Sequence, residues 1–253
     1  MLSRIEDAGI NASAPPQQRW LDGWLVRFSP GKAKRARCVN AVAPGHLPVD
    51  RKIALAAEVF SAARLPMVVR LTRFSQPPGL EHELAARGFT LLDDTRVMVR
   101  PLPAAQAPAA LPAGTHWDRL DAATYAEEVG ALRGSPEGQR RAHAERLALS
   151  PVPYQGFAIR RNDNRQVLAC GQFALESDLV GVYDVFTRED ERGKGLARIL
   201  CQRLLSLSFS QGAKVAYLQV EADNAPARHV YRRLGFVDGY EYHYRQAPAT
   251  SES

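Results

Sequence analysis

The chain has 253 residues and little of what assigns a protein quickly to a special class. Cysteine occurs three times, at Cys38, Cys170 and Cys201, with no C-x-x-C pair. That excludes a disulfide-stapled scaffold and reads as reduced, partly buried small hydrophobes in a cytoplasmic protein. The six histidines do not fall at ligand spacing with the cysteines, so no zinc or other metal is expected. No stretch approaches the ~18 uninterrupted apolar residues of a membrane span, so no membrane partner is expected. The N-terminal stretch carries Glu6 and Asp7 and lacks an apolar h-region, which argues against a signal peptide.

What is there suits a folded chain with a real core, since hydrophobic residues make up 45% and charged residues 24%. The net charge of +6 is unevenly spread: residues 1–100 hold 15 Lys+Arg against 9 Asp+Glu, and residues 101–253 hold 18 of each. A basic balance permits an anionic partner such as a phosphate-rich cofactor or RNA without requiring one. The run Lys32-x-Lys34-Arg35-x-Arg37 reads as a solvated hairpin edge, with anion binding as the sharper alternative. It has no interleaved aromatic residue, so a nucleic-acid partner is not expected.

A Pro/Ala stretch, Pro101–Ala113 (PLPAAQAPAALPA), reads as an extended connector, because proline breaks helical and ladder hydrogen bonding. It divides the chain into domains at 1–100 and 114–253. Before it, strands are expected at Trp20–Phe28, Arg35–Val42, Met67–Leu71 and Arg96–Arg100, with helices at Asp50–Arg64 and Leu80–Arg87. After it come helices at Ala122–Leu132 and Glu137–Leu149, then strands at Phe157–Arg161, Val167–Leu175 and Leu179–Thr187 separated by turn signals. Helix Leu196–Ser208, strand Val215–Val220, helix Ala225–Leu234 and strand Tyr240–Arg245 complete an α+β pattern. The two halves echo each other: Leu84 to Gly88-Phe89 and Tyr231 to Gly235-Phe236 are both a helix, a glycine, a phenylalanine and a strand. A duplicated domain is therefore expected.

The richest chemistry lies where strand Leu179–Thr187 runs through Arg192-Gly193-Lys194-Gly195 into the next helix. The first N–H groups of a helix have no internal partners and carry partial positive charge. Glycines there remove the side chains that would hold an anion away, so the junction suits a phosphate or pyrophosphate. Arg188, Arg192 and Arg198 add charge, which Glu189, Asp190 and Glu191 oppose. The spacing fits neither a Walker loop nor the dinucleotide fingerprint. It fits [QR]-x-x-G-x-[GA], as Arg192-x-x-Gly195-x-Ala197, followed by Asn224-x-x-Ala227-x-x-x-Tyr231-x-x-x-Gly235-Phe236.

That pair of motifs, in this order and on these elements, resembles the GNAT (general-control-related N-acetyltransferase) superfamily of acyl-CoA-dependent enzymes. The resemblance spans about residues 115–245. It implies a GNAT-like mixed central sheet flanked by helices. The N-terminal half resembles a degenerate copy, as in tandem members, because it lacks the glycine loop. The resemblance further implies acetyl-CoA (coenzyme A) as cosubstrate and transfer to a primary amine, on a small molecule or a protein. Carried over residue by residue, Val185, Phe186 and Thr187 pair with the pantetheine arm. Arg192, Gly193, Lys194, Gly195, Leu196, Ala197 and Arg198 cradle the pyrophosphate, and Asn224 holds cofactor nearby. Tyr231 stands where the family keeps the acid that protonates the leaving thiolate.

An alkyl ammonium with a pKa near ~10 costs roughly 3–4 kcal/mol to deprotonate at neutral pH, so a base or a water chain is needed. Asp184 and Glu221 are the candidates, Asp184 ahead. Each residue also has a structural reading: Tyr231 as core, Asn224 as a helix cap, Asp184 as a solvated strand residue. The histidines at 116, 143, 229 and 243 read as surface or structural. A non-catalytic acyl-CoA sensor and a nucleic-acid binder are the competing functional classes, and a homodimer is left open.

Overall fold

The computed structural model describes residues 1–30, 33–105 and 107–248. Lys32 of the basic run and Gln106 of the connector lie outside the described residues. In chain order the elements are α1 (Leu2–Ala12), β1 (Gln18–Leu21), β2 (Trp24–Arg27), β3 (Val39–Ala41), α2 (Val49–Ala62), β4 (Val68–Thr72), α3 (Leu80–Ala86) and β5 (Thr90–Pro101). Then follow β6 (Thr115–Leu120), α4 (Ala122–Leu132), α5 (Glu137–Ala148), β7 (Tyr154–Arg161), β8 (Val167–Glu176) and β9 (Leu179–Thr187). The chain closes with α6 (Leu196–Ser210), β10 (Val215–Glu221), α7 (Ala225–Arg233) and β11 (Val237–Gln246). The class is α+β, with mixed strand pairing and flanking helices.

Two compact units emerge, and neither is contiguous in sequence. The first holds Met1–Ala12, Val97–Val220 and Asn224–Gly239; the second holds Ser13–Arg96, Glu221–Asp223 and Tyr240–Ser253. This differs from the contiguous division read from the Pro/Ala connector.

In the second unit β2 pairs antiparallel with β1 and β3, β3 runs parallel to β4, and β11 pairs antiparallel with β4 from Tyr242↔Thr72 to Gln246↔Val68. Trp24, Val26, Val39, Val69 and Leu71 pack with Phe60 of α2 and Leu80 and Leu84 of α3. The expected single strand Trp20–Phe28 is a hairpin instead. Asp22 and Gly23 both take positive φ, 42° and 84°, the geometry of a tight two-residue turn that Asp-Gly favours. The expected strand Arg35–Val42 is shorter, because a single 3₁₀ turn occupies Lys34–Ala36.

In the first unit β6, β7, β8 and β9 form an antiparallel run, and β10 adds parallel to β9. One core lies under α6 and α7, where Leu196, Leu200 and Leu204 meet Phe157, Phe173, Val180, Val182 and Leu218. A second lies under α4 and α5, where Tyr125, Val129 and Leu147 meet Ala158 and Cys170. The N-terminal α1 packs into this unit. Arg4 pairs with Asp178, Asn11 donates to Glu176 at 2.8 Å, and Tyr154 Oη donates to the Ala12 carbonyl at 2.7 Å.

The element order β1-β2-β3-α2-β4-α3-β5 recurs as β7-β8-β9-α6-β10-α7-β11. In both, the strand after the first helix runs parallel to the strand before it.

Candidate active site

β9 determines the site's shape. β10 follows it in parallel from Leu179↔Val215 to Val182↔Leu218. Two residues later Asp184 takes φ 51°, and the register against β8 slips between Cys170 and Gln172. Asp184 and Val185 thus oppose the single residue Gly171, a β-bulge of the kind that re-aims side chains beside active sites. Gly171 is needed there, since a Cβ would lie 2.9 Å from Leu200 of α6. Beyond the bulge β9 keeps its β8 partners, Cys170↔Phe186 and Ala169↔Thr187. Thr187 Oγ1 is buried without a hydrogen-bond partner.

The chain then makes a single 3₁₀ turn, Glu189–Glu191, and enters α6 through Gly193 and Gly195. Both glycines are left-handed, with φ 79° and 76°. A Cβ at either would meet open space, so the loop offers an uncrowded approach to the α6 N-terminus. α6 is 15 residues long, enough for a full terminal dipole. Glu191 turns inward, with its side chain only 8% exposed, and accepts from Arg161 at 2.6 Å and Lys194 at 3.0 Å. Those hydrogen bonds hold its carboxyl below the usual range. Lys194 is therefore a strut of the loop as well as a basic residue beside it. Arg188 pairs with Asp190 at 2.7 Å, whereas Arg192 and Arg198 are exposed, with Arg192 above the Phe186 ring at 5.7 Å. This shelf of N–H groups, glycines and exposed guanidiniums fits the diphosphate of coenzyme A.

Tyr231, on α7, packs against the core under α6 together with Ala227 and Val230, and meets Phe236 edge-on at 6.1 Å. Burial pushes its phenol up, with Cys201 of α6 adding to the effect, so it holds its proton. Asn224 caps α7, its side chain accepting from Ala227 N at 3.2 Å, with Pro226 in the first turn.

Asp184 is not a free carboxylate. Gln172 donates to it at 2.8 Å, Arg133 just after α4 pairs with it at 3.1 Å, and His143 Nε2 of α5 stands 3.4 Å away. Burial alone would raise its carboxyl pKa, but His143, Arg133 and Arg146 outweigh that and hold it well below the usual range. Its carbonyl accepts from Tyr125 Oη at 2.9 Å. Glu221 ends β10 as an exposed residue and belongs to the second unit. Sequence reasoning passed over Arg133, Gln172 and Arg161, and it read His143 as surface or structural. A signal for Gln172 and the bulge was available, a Gly-Gln pair inside an apolar strand.

The second unit has a counterpart to the glycine loop between β3 and α2, and there the seat is filled from within. The Asp22 carboxylate accepts from the backbone N–H of His46 at 2.9 Å and of Leu47 at 2.7 Å, just ahead of α2. These bonds bring its carboxyl down to about 2. Lys52, wholly buried on α2, pairs with the same carboxylate at 3.1 Å and donates to the Asp22 carbonyl at 2.7 Å and to the Pro44 carbonyl.

All three cysteines are free and buried, and burial pushes the thiols up, Cys38 to about 11, Cys170 and Cys201 to about 12. They are unreactive positions. Among the described residues no group of His, Cys, Asp and Glu is placed to hold a metal ion. Among them, too, no helix is long and apolar enough to cross a membrane.

Comparison with known proteins agrees with this geometry. Residues 127–236 match the Acetyltransferase (GNAT) family. The chain is 24% identical over 237 residues to YobR of Bacillus subtilis, described as an uncharacterized N-acetyltransferase, covering 90% of this chain and 91% of that one. It is 31% identical over 166 residues to a mycothiol acetyltransferase of Streptomyces coelicolor, covering 62% and 54%. Among solved structures, a GCN5-related N-acetyltransferase from Kribbella flavida aligns with TM-score 0.68 at 20% identity, over 98% of this chain and 95% of that one. A tandem GNAT protein from the clavulanic acid biosynthesis pathway aligns with TM-score 0.64 at 16% identity, over 80% and 70%. These two likenesses speak to the fold.

Proposed function

We propose that the chain, whose residues 127–236 match the Acetyltransferase (GNAT) family, is an acyl-CoA-dependent enzyme that transfers acetyl from acetyl-CoA to a primary amine. The observation that carries this reading is the sequence of bulge, glycine loop and helix N-terminus, with a protonated tyrosine buried against the same helix. Backbone groups of Val185, Phe186 and Thr187 pair with the pantetheine amides. The N–H groups from Gly193 through Arg198, with the Arg192 and Arg198 guanidiniums, hold the diphosphate. Lys194 acts chiefly by bracing the loop on Glu191, and Asn224 combines its cap with a contact to the cosubstrate.

Acetyl-CoA bound there supplies an activated thioester carbonyl to a neutral amine. Tyr231 holds a proton at Oη for the departing thiolate. Asp184 belongs to the apparatus that manages the amine proton. Its low pKa makes it a weak base by itself, so it acts by orienting neighbours and balancing charge. No role in this chemistry is proposed for Glu221.

The acceptor is an amine on a small molecule or on a protein, and the buried reduced cysteines suit a cytoplasmic enzyme. Supported by the recurring element order, residues 1–100 are read as a degenerate GNAT-like copy, 101–113 as the connector and 114–253 as the active copy. The test is release of free coenzyme A thiol from acetyl-CoA across a panel of free amino acids, spermidine and an N-terminal peptide. Amine-dependent release supports the proposal. Cosubstrate binding with no release across the panel would instead favour an acyl-CoA sensor.

A further inference from the structure

With Asp184 tied to Arg133 and Gln172, the amine's proton needs another destination, and the same cluster contains one. His143 lies on α5 with its side chain 17% exposed and Nε2 at 3.4 Å from Asp184 Oδ2. That nitrogen is buried and makes no aligned hydrogen bond. Resting on the acetyltransferase reading, we propose that His143 accepts the acceptor ammonium's proton and that Asp184 is its positioning residue.

The logic is that of an imidazole oriented by a carboxylate. A carboxylate facing Nε2 favours the tautomer with its proton on that nitrogen, which leaves the Nδ1 lone pair as the acceptor. Gln172 and Arg133 fix the carboxylate, and the Tyr125 hydroxyl fixes the backbone of the same bulge residue. His143 therefore faces one anchored acid rather than a mobile one. The charged and titratable groups around the pair are Tyr125 from α4, Arg133 at its C-terminal cap, Arg146 from α5 and Cys170 from β8. Arg133 and Arg146 add positive charge beside Asp184, and Tyr125 and Cys170 are held neutral by burial.

In the step itself the proton passes from R–NH₃⁺ to Nδ1 of His143, and the freed nitrogen forms the C–N bond to the acyl carbon. The C–S bond breaks, the sulfur takes the Tyr231 proton, the new amide nitrogen releases its second proton to solvent, which reprotonates Tyr231, and His143 returns its proton to solvent. No oxidant or further reactant is required.

The experiment compares wild type, His143→Gln and Asp184→Asn in two measurements. The first is ¹⁵N-histidine NMR of the whole chain, with the His143 signal identified by its loss in the variant. It is expected to show the Nε2–H tautomer near neutral pH, and Asp184→Asn is expected to disturb it. An Nδ1–H tautomer, or one indifferent to Asp184→Asn, overturns the pairing without any acceptor being known. The second is the pH profile of acetyl transfer to the amine panel. His143→Gln is expected to lower kcat/KM on the order of 100-fold or more and remove the acid limb, with acetyl-CoA affinity unchanged. Asp184→Asn is expected to shift that limb rather than abolish it. A His143→Gln enzyme that keeps wild-type rate and profile overturns the proposal while leaving the transferase reading intact. Wild type without amine-dependent turnover would count against that broader reading, and the tautomer measurement would still decide the pair.

Discussion

At the scale of single residues the site depends on protonation states set by burial and by neighbours. Tyr231 is kept protonated by its apolar surroundings, so Tyr231→Phe should lower kcat roughly 10–100-fold while acetyl-CoA affinity stays near wild type. Calorimetry beside steady-state kinetics separates this from a packing role, which would weaken binding or lower Tm instead. Glu191 works differently, by tying Lys194 of the loop to Arg161 of β7. Glu191→Gln should raise the acetyl-CoA Kd severalfold with little change in maximal turnover. Asp184 carries a pH signature. Its folded pKa is depressed, so its stabilising contribution is present above the unfolded value of ~3.9 and disappears as pH falls through the folded value. Asp184→Asn should thus lose stability at neutral pH and show a flatter acid limb in thermal melts between neutral pH and about 3.

At the scale of elements, a loop in front of a helix can either receive an anion or be closed by one. Ahead of α6 the glycines leave the N–H groups accessible; ahead of α2 the Asp22 carboxylate already takes those of His46 and Leu47. Gly45 makes that closure compact, because a Cβ there would collide with Asp22. The Asp22 carboxyl lies at about 2, so the closure holds above ~4 and is lost as pH falls toward 2. Asp22→Ala should lower Tm, because it leaves the buried Lys52 ammonium without its carboxylate, and it should leave acetyl-CoA affinity in the first unit unchanged.

Much of this was legible in the sequence because local patterns control it. Helix α4 and strand β9 run over the residues expected, and the glycines that close α3 and α7 were visible as helix stops. The hairpin at Asp22-Gly23 was legible too, in a dipeptide that favours a tight turn, but the apolar run on either side of it masked the break. α1 was hidden, since its buried positions include Ala8, Gly9 and Ala12, which carry little hydrophobic signal. β6 was hidden because its residues THWDRL are largely polar. The Asp184 cluster was beyond local reading, as it joins residues from β8, β9, α4 and α5 that only tertiary packing brings together.

At the scale of the whole molecule, chain order and compact units do not coincide. Residues from the N-terminus complete the first unit, and residues from the C-terminal strand complete the second. Ile5 of α1 is fully buried, so Ile5→Ala should destabilise the first unit by about 2–4 kcal/mol in denaturant titration, a cost a dispensable terminal helix would not show. One open and one internally closed loop also predict a single acyl-CoA site per chain. The most direct test is calorimetric titration of acetyl-CoA into wild type and Gly195→Glu, with folding of both checked by circular dichroism. The account predicts one site per chain in wild type and loss of binding in a folded Gly195→Glu protein, whose carboxylate would stand where the diphosphate sits. Two sites per chain, or unchanged binding by Gly195→Glu, would contradict it.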